Sequence, residues 1–171
     1  MYDYLDVLGR LMVVEDQPAW SPHMRSKAQL RRSPKRHFVD PSLAVAALRG
    51  SPERLLADLN LFGLVFESMV VRDLRIFSQR LDGIVYHYRD NYGLEVDAVI
   101  QCAGGEWAAF EIKLGGERHI EEGAASLLRF TQQVDLEKSG PPATLAVITG
   151  TGYGYMRDDG VSVIPIGAIG P

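Results

Sequence analysis

Glu111-Ile112-Lys113 sets an acid and a base two residues apart in a stretch that alternates apolar and polar positions. Successive side chains of a strand point to opposite faces, so Glu111 and Lys113 share one face and Ile112 takes the other. A partner strand precedes it. There Val96, Ala98 and Ile100 fall on one face, with Glu95 and Asp97 on the opposite one. Pairing Val96 with Ile112, Ala98 with Phe110 and Ile100 with Ala108 makes the apolar faces coincide. That register sets Asp97 across from Glu111, whereas a shift of one residue would pair Val96 with Lys113 and bury a charge. Ala103-Gly104-Gly105 supplies the odd-numbered hairpin loop this register needs, with glycine available for positive φ.

Two carboxylates at adjacent strand positions repel each other unless positive charge lies between them. A hard divalent cation, Mg²⁺ or Mn²⁺, meets that need with oxygen ligands and retained waters. Held by Asp97 and Glu111, it would polarise a phosphoryl oxygen and acidify a water. Lys113 would orient that water or stabilise charge developing on the phosphate. Glu67 is a fourth candidate, because it interrupts the apolar run Val65-Phe66 and Met69-Val70-Val71, where a charge is unwelcome without a partner. The plain alternative is a cross-strand ion pair on a sheet surface, with Glu95 a solvated neighbour.

The elements around these residues are legible from periodicity. Residues 2–14 carry Tyr4, Leu5, Leu8, Leu11 and Met12 at helical spacing, an apolar face that requires a partner. Phe38-Val39 reads as a short strand. Asp40-Pro41-Ser42 starts a helix over Leu43 to Leu48, and Ser51-Pro52-Glu53 opens another. Leu59 to Gln79 places Phe62, Val65, Phe66, Met69, Val70, Leu74 and Phe77 in a broad helical stripe suited to packing under a sheet. Strands follow at Ile84–Arg89, Leu94–Gln101 and Trp107–Leu114, then a helix from about Glu121 to Glu137. Thr144–Thr149 is a continuously apolar strand. Val161–Ile166 is expected as a final edge strand, since Pro165 cannot donate to a central ladder. The predicted fold class is α/β, an α+β arrangement on a mixed sheet with an αβββαβ core.

Bulk properties bound the rest. The 171 residues are 46% hydrophobic and 23% charged, the balance of one globular domain. No apolar run is long enough for a transmembrane helix, and the N-terminus lacks a signal-peptide pattern, so a cytoplasmic protein with no membrane partner is expected. Cys102 is the single cysteine, which excludes an internal disulfide and any cysteine-rich zinc site. The scattered histidines have no ligand spacing. Net charge is −4, but Gln17 to Val39 contains no acidic residue and holds Arg25, Lys27, Arg31, Arg32, Lys35 and Arg36. Such segregation suits a nucleic-acid phosphate backbone, or equally a solvated linker. The chain accordingly divides into an N-terminal helix and strand (1–22), a basic linker (23–37) and a main domain (38–171). Oligomeric state is not readable.

Glu67, Glu95-Val96-Asp97 and Phe110-Glu111-Ile112-Lys113, in αβββαβ order, resemble the PD-(D/E)XK phosphodiesterase superfamily. More closely, the chain resembles the C-terminal domain of unknown function attached to prokaryotic AAA-type ATPases. The shared features are the Phe38-Val39-Asp40-Pro41-Ser42 start, the Gly63-Leu64-Val65-Phe66-Glu67 helix and the two strand motifs. The resemblance covers roughly residues 20–135. It implies a nuclease-like fold with Mg²⁺ (or Mn²⁺) held by Asp97, Glu111 and the Ile112 carbonyl, Glu67 assisting and Lys113 serving the water. It also implies that residues 1–22 are the remnant of a winged helix and that an AAA-type ATPase is a partner, although no ATPase module is in this sequence. Two functions are therefore expected as alternatives: a metal-dependent nuclease, or a catalytically inactive nuclease-fold module that binds a protein or nucleic acid.

Overall fold

The computed structural model describes residues 2–21 and 33–170. Arg25, Lys27, Arg31 and Arg32 of the basic segment lie outside the described residues. In chain order the elements are α1 (Tyr2–Arg10), β1 (Val14–Gln17), β2 (Lys35–Phe38), α2 (Pro41–Ala47), α3 (Pro52–Ala57) and α4 (Leu59–Ser78). Then come β3 (Ile84–Arg89), β4 (Glu95–Gln101), β5 (Trp107–Lys113), α5 (Glu117–Gln133), α6 (Leu136–Ser139), β6 (Thr144–Thr149), β7 (Tyr155–Met156) and β8 (Ser162–Pro165). The run α4-β3-β4-β5-α5-β6 has the αβββαβ order expected. The fold is a mixed α/β one, built on a six-stranded sheet ordered β3-β4-β5-β6-β8-β7. Its first three strands are antiparallel, and β5-β6 and β6-β8 are parallel.

Each sheet face buries one helix. Asp58 caps α4 by accepting from the Leu61 amide at 3.0 Å, leaving the apolar stripe to set the packing. Phe66, Val70, Val71 and Leu74 of α4 pack on Val85, Ala98, Phe110, Ile112, Ala146 and Ile148. On the other face Ala124, Leu127 and Phe130 of α5 meet Val96, Val99, Trp107, Ala109 and Val147. The N-terminal segment closes this second core with Trp20, which is fully buried, 5.4 Å from the Trp107 ring and 5.5 Å from Phe130. The described part of this segment is thus tied into the domain through Ala19 and Trp20. Ala19 bridges to His87 on the outer edge of β3.

Several boundaries differ from the sequence reading. The segment read as a basic linker ends in β2, which begins at Lys35 and pairs antiparallel with β1, Gln17 opposite Lys35 and Val14 opposite Phe38. Helix α5 begins at Glu117, directly after Gly115-Gly116, and stops at Gln133 because Val134 turns extended to enter the core. Strand β8 is not the sheet edge, since the two-residue β7 covers Ser162 and Val163. Pro165 is tolerated because it lies at the strand's end, beyond β7. The apolar face of α1 and the turn after it remain largely open, with Tyr4, Val7, Leu11 and Met12 exposed. Among the described residues no helix is long and apolar enough to cross a membrane.

Candidate functional site

The β4–β5 hairpin has the register that burial dictates, Ala98 opposite Phe110 and Ile100 opposite Ala108. The Ala103-Gly104-Gly105 loop closes it, with Gly105 at φ 96°. Beyond Ala98 the expected pairing of Val96 with Ile112 fails. Strand β4 bulges there: Tyr86 pairs with Val99 but Tyr88 pairs with Val96, so Asp97 and Ala98 oppose the single residue His87. The extra residue rotates Val96 onto the α5 face beside Val99, while Ala98 and Ile100 stay on the α4 face. The simple alternation read from the sequence is therefore broken at Asp97. The cause is the unpaired bulge residue.

The bulge aims Asp97 at the end of β5. The Ile112 amide donates to Asp97 Oδ2 at 2.9 Å. Lys113 Nζ lies 2.6 Å from Glu111 Oε2 and 3.5 Å from Asp97 Oδ2. Glu67, from α4, joins this cluster through Lys35, whose Nζ contacts Glu67 Oε1 and lies 3.6 Å from Asp97 Oδ1. Glu67, Asp97, Glu111 and Lys113 are thus brought together, and Lys35 is added to them. Arg36 instead forks onto Asp16 from the opposite side of β2.

Three further residues position the cluster. Gln17 is fully buried, and its Nε2 donates to the carbonyls of Tyr86 at 2.9 Å and Asp97 at 3.0 Å, two carbonyls at the bulge. Its Oε1 lies 2.9 Å from His37 Nε2, and His37 Nδ1 lies 3.2 Å from Ser68 Oγ. Because Gln17 Oε1 can only accept, Nε2 carries the imidazole proton and the Ser68 hydroxyl donates to Nδ1. Sequence reasoning singled out neither Gln17 nor Ser68, gave His37 no ligand role, and placed Lys35 in a basic linker as a phosphate contact. The one local signal was Ser68 beside Glu67 on a helix face otherwise apolar.

Electrostatics follow from burial and crowding. Burial, then the facing Asp97 charge, pushes the Glu111 carboxyl up to about 8, against the pull of Lys113. Burial and Asp97 raise Glu67 too, opposed by Lys35 and Lys113. Burial disfavours the Lys113 charge, yet Asp97 and Glu111 outweigh it and hold its pKa above the ordinary lysine value. Lys35 is raised likewise, burial being outweighed by Glu67 and Asp97. His37 is pushed down to about 4 by burial, then by the Lys35 and Arg75 charges, so it is neutral.

Among the described residues no group of three or more His, Cys, Asp or Glu side chains is gathered to hold a metal by itself. The donor set at Asp97 and Glu111 is all oxygen, which suits a hard cation. Backbone N–H and C=O of one strand residue face the same neighbour, so the Ile112 carbonyl lies on the edge its amide turns toward Asp97. A buried Glu111 carboxylate, a partly buried Asp97 carboxylate and one carbonyl would suit a magnesium ion that keeps several waters. The raised pKa of Glu111 marks the demand for positive charge there.

Residues 62–169 match the family model described as Domain of unknown function (DUF4143), and residues 1–54 match one described as Domain of unknown function (DUF8612). No curated protein and no solved structure matches the chain. The cluster is composite across the two matched segments. Glu67, Asp97, Glu111 and Lys113 lie in the first, and Gln17, Lys35 and His37 in the second.

Proposed function

This chain belongs to the family described as Domain of unknown function (DUF4143), and from the arrangement of Asp97, Glu111 and Lys113 we propose that it is a Mg²⁺-dependent nucleic-acid phosphodiesterase with a PD-(D/E)XK nuclease-like core. The family is often found with AAA-type ATPases, and we read the chain as the nuclease-like domain of an ATPase-associated protein. One observation carries the reading: a β-bulge turns Asp97 onto the end of β5, beside the buried Glu111 and within reach of the Lys113 ammonium.

Asp97, Glu111 and the Ile112 carbonyl would hold the Mg²⁺ or Mn²⁺, which supplies Lewis acidity to a phosphoryl oxygen and to a bound water. Lys113 holds a formal charge where negative charge grows on the phosphate and donates to the attacking water. Glu67 keeps Lys35 beside Asp97, and Gln17 fixes the backbone that aims Asp97. Arg25, Lys27, Arg31, Arg32 and Arg36 are proposed as phosphate-backbone contacts, of which Arg36 would exchange Asp16 for the substrate.

The test is cleavage of plasmid and oligonucleotide DNA and RNA with Mg²⁺ or Mn²⁺. Asp97→Ala and Lys113→Ala should each lower the rate at least ~100-fold. Cleavage indifferent to both substitutions would overturn the reading. A second reading, an inactive nuclease-fold module that binds a protein such as an AAA-type ATPase, draws on a different observation. Lys35 and Lys113 already balance much of the carboxylate charge, and an apolar groove of about 410 Å³ opens between α2 and α4, lined by Leu48, Leu61 and Leu64. On that reading Mg²⁺ gives no thermal shift, and Asp97→Ala leaves partner binding intact.

A further inference from the structure

The charged side chains at the bulge form an alternating row: Glu67, Lys35, Asp97, Lys113, Glu111. The two ammonium groups take different oxygens of the central carboxylate. Lys113 Nζ is 3.5 Å from Asp97 Oδ2, and Lys35 Nζ is 3.6 Å from Asp97 Oδ1. Lys113 belongs to β5 and to the proposed chemistry. Lys35 arrives from β2, outside the αβββαβ core, and makes its closer contact with Glu67 Oε1.

Resting on the metal-dependent reading above, we propose that Lys35 is a resident second cation, filling the place between Glu67 and Asp97 that a second divalent ion would otherwise take, so that the centre holds a single metal.

The two sides of Asp97 are chemically unequal. On the β5 side, Glu111 and the strand edge bearing the Ile112 carbonyl offer oxygen donors for a divalent ion. On the α4 side, Glu67 and Asp97 form a second carboxylate pair of the kind that two-metal phosphodiester centres use. A further potential ligand there, His37 Nε2 at 4.0 Å from Glu67 Oε1, carries a proton donated to Gln17 and is closed to a metal. An ammonium is a compact charge with three donors, able to serve both carboxylates at once.

Lys35 is also held in place, unlike a lysine that wanders over a surface. Its backbone pairs with Gln17 across the β1–β2 ladder, and Gln17 is pinned to the bulge by two hydrogen bonds. On its C-terminal side Arg36 forks onto Asp16, and the His37 ring is fixed between Gln17 and Ser68. A divalent ion entering between Glu67 and Asp97 would have to evict an ammonium whose side chain is two-thirds buried and whose backbone cannot follow it out. The β1–β2 pair thereby delivers one fixed charge to the α4 side of Asp97, while on the β5 side the metal would share Asp97 and Glu111 with Lys113.

Calorimetric titration of the full chain with Mn²⁺ tests this directly. Wild type should bind one equivalent, Lys35→Met two, and Glu67→Gln one. Two equivalents on wild type, or one on a folded Lys35→Met protein, would overturn the assignment of Lys35 while leaving a metal-dependent centre standing. No binding to wild type would instead overturn the parent reading. Circular dichroism checks the fold of each variant. Should Lys35→Met not fold, Lys35→Gln is titrated in its place, and the wild-type stoichiometry decides independently.

Discussion

The Ile112 amide donates to the Asp97 carboxylate at 2.9 Å, at the position where an unbroken ladder would have given it the Val96 carbonyl. A side chain thus replaces a backbone acceptor at the point where β4 bulges. This ties the orientation of Asp97 to the pairing of the sheet. Asp97→Ala should therefore cost stability as well as function: it orphans a buried amide and takes a counterion from both Lys35 and Lys113. The expected loss in urea unfolding is about 2–4 kcal/mol. Asp97→Asn keeps an acceptor for Ile112 and should lose less than about half as much. Equal losses would show that the amide bond contributes little.

His37 gives the protein an acid-side sensitivity with a defined sign. Its folded pKa is lowered to about 4 from an ordinary 6.5, so the unfolded chain takes up the proton first as pH falls. The stabilisation is full above pH 6.5 and is lost as pH drops toward 4, by about 3 kcal/mol at most. His37→Gln, which keeps an amide in the Gln17–Ser68 network, should flatten the stability profile between those values. Urea midpoints at pH 4.5 and 7 for both proteins check it; parallel curves would contradict the assignment.

Glu111 acts in the opposite direction. Its carboxyl is raised to about 8 from an ordinary 4.5, so the folded protein retains a proton that the unfolded chain has released. Relative to a Glu111→Gln variant, the metal-free protein should lose stability as pH climbs from 4.5 to 8, by a few kcal/mol, on the order of what such a shift carries. Glu111→Gln should consequently gain on wild type between pH 5 and pH 9. Thermal melts in chelator would record it, and a constant difference across that range would refute it.

The αβββαβ order and the hairpin register were legible because each rests on a local pattern: the broad stripe of α4, the alternation of β5, and the Ala103-Gly104-Gly105 loop. The bulge at Asp97 was not, since an inserted strand residue leaves the sequence looking like ordinary alternation until its partner strand is known. Gln17 and His37 escaped for a related reason. Their partners lie far along the chain, 69 and 80 residues from Gln17 to Tyr86 and Asp97, and no local spacing encodes such bonds. Glu67 was detectable because a charge inside an apolar stripe is conspicuous. Lys35 was noticed for its charge, but the basic run around it hid its individual role.

Gly123 sits in the middle of α5, where glycine costs about 1 kcal/mol against alanine. The structure supplies the reason for keeping it. A Cβ at 123 would stand 3.2 Å from Glu111 Cβ, 3.3 Å from Val147 Cγ2 and 3.5 Å from Lys113 Cε. The helix thus lies against β5 and β6 at the two residues proposed to do chemistry, and a methyl group would press them apart by a few tenths of an ångström. Gly123→Ala gains helix propensity but overpacks a core flanked by two sheet strands, where such insertions cost about 1–3 kcal/mol. The net expectation is a destabilisation of up to about 2 kcal/mol. Mn²⁺ affinity should fall with it, because Glu111 moves with its backbone. Gly63 of α4, where a Cβ would meet nothing within 4 Å, is the control. Gly63→Ala should stabilise the chain by up to about 1 kcal/mol and leave Mn²⁺ binding unchanged. If both alanines stabilise alike, the close approach of α5 to Glu111 has no energetic consequence, and the placement of Glu111 must owe more to β5 than to the helix above it.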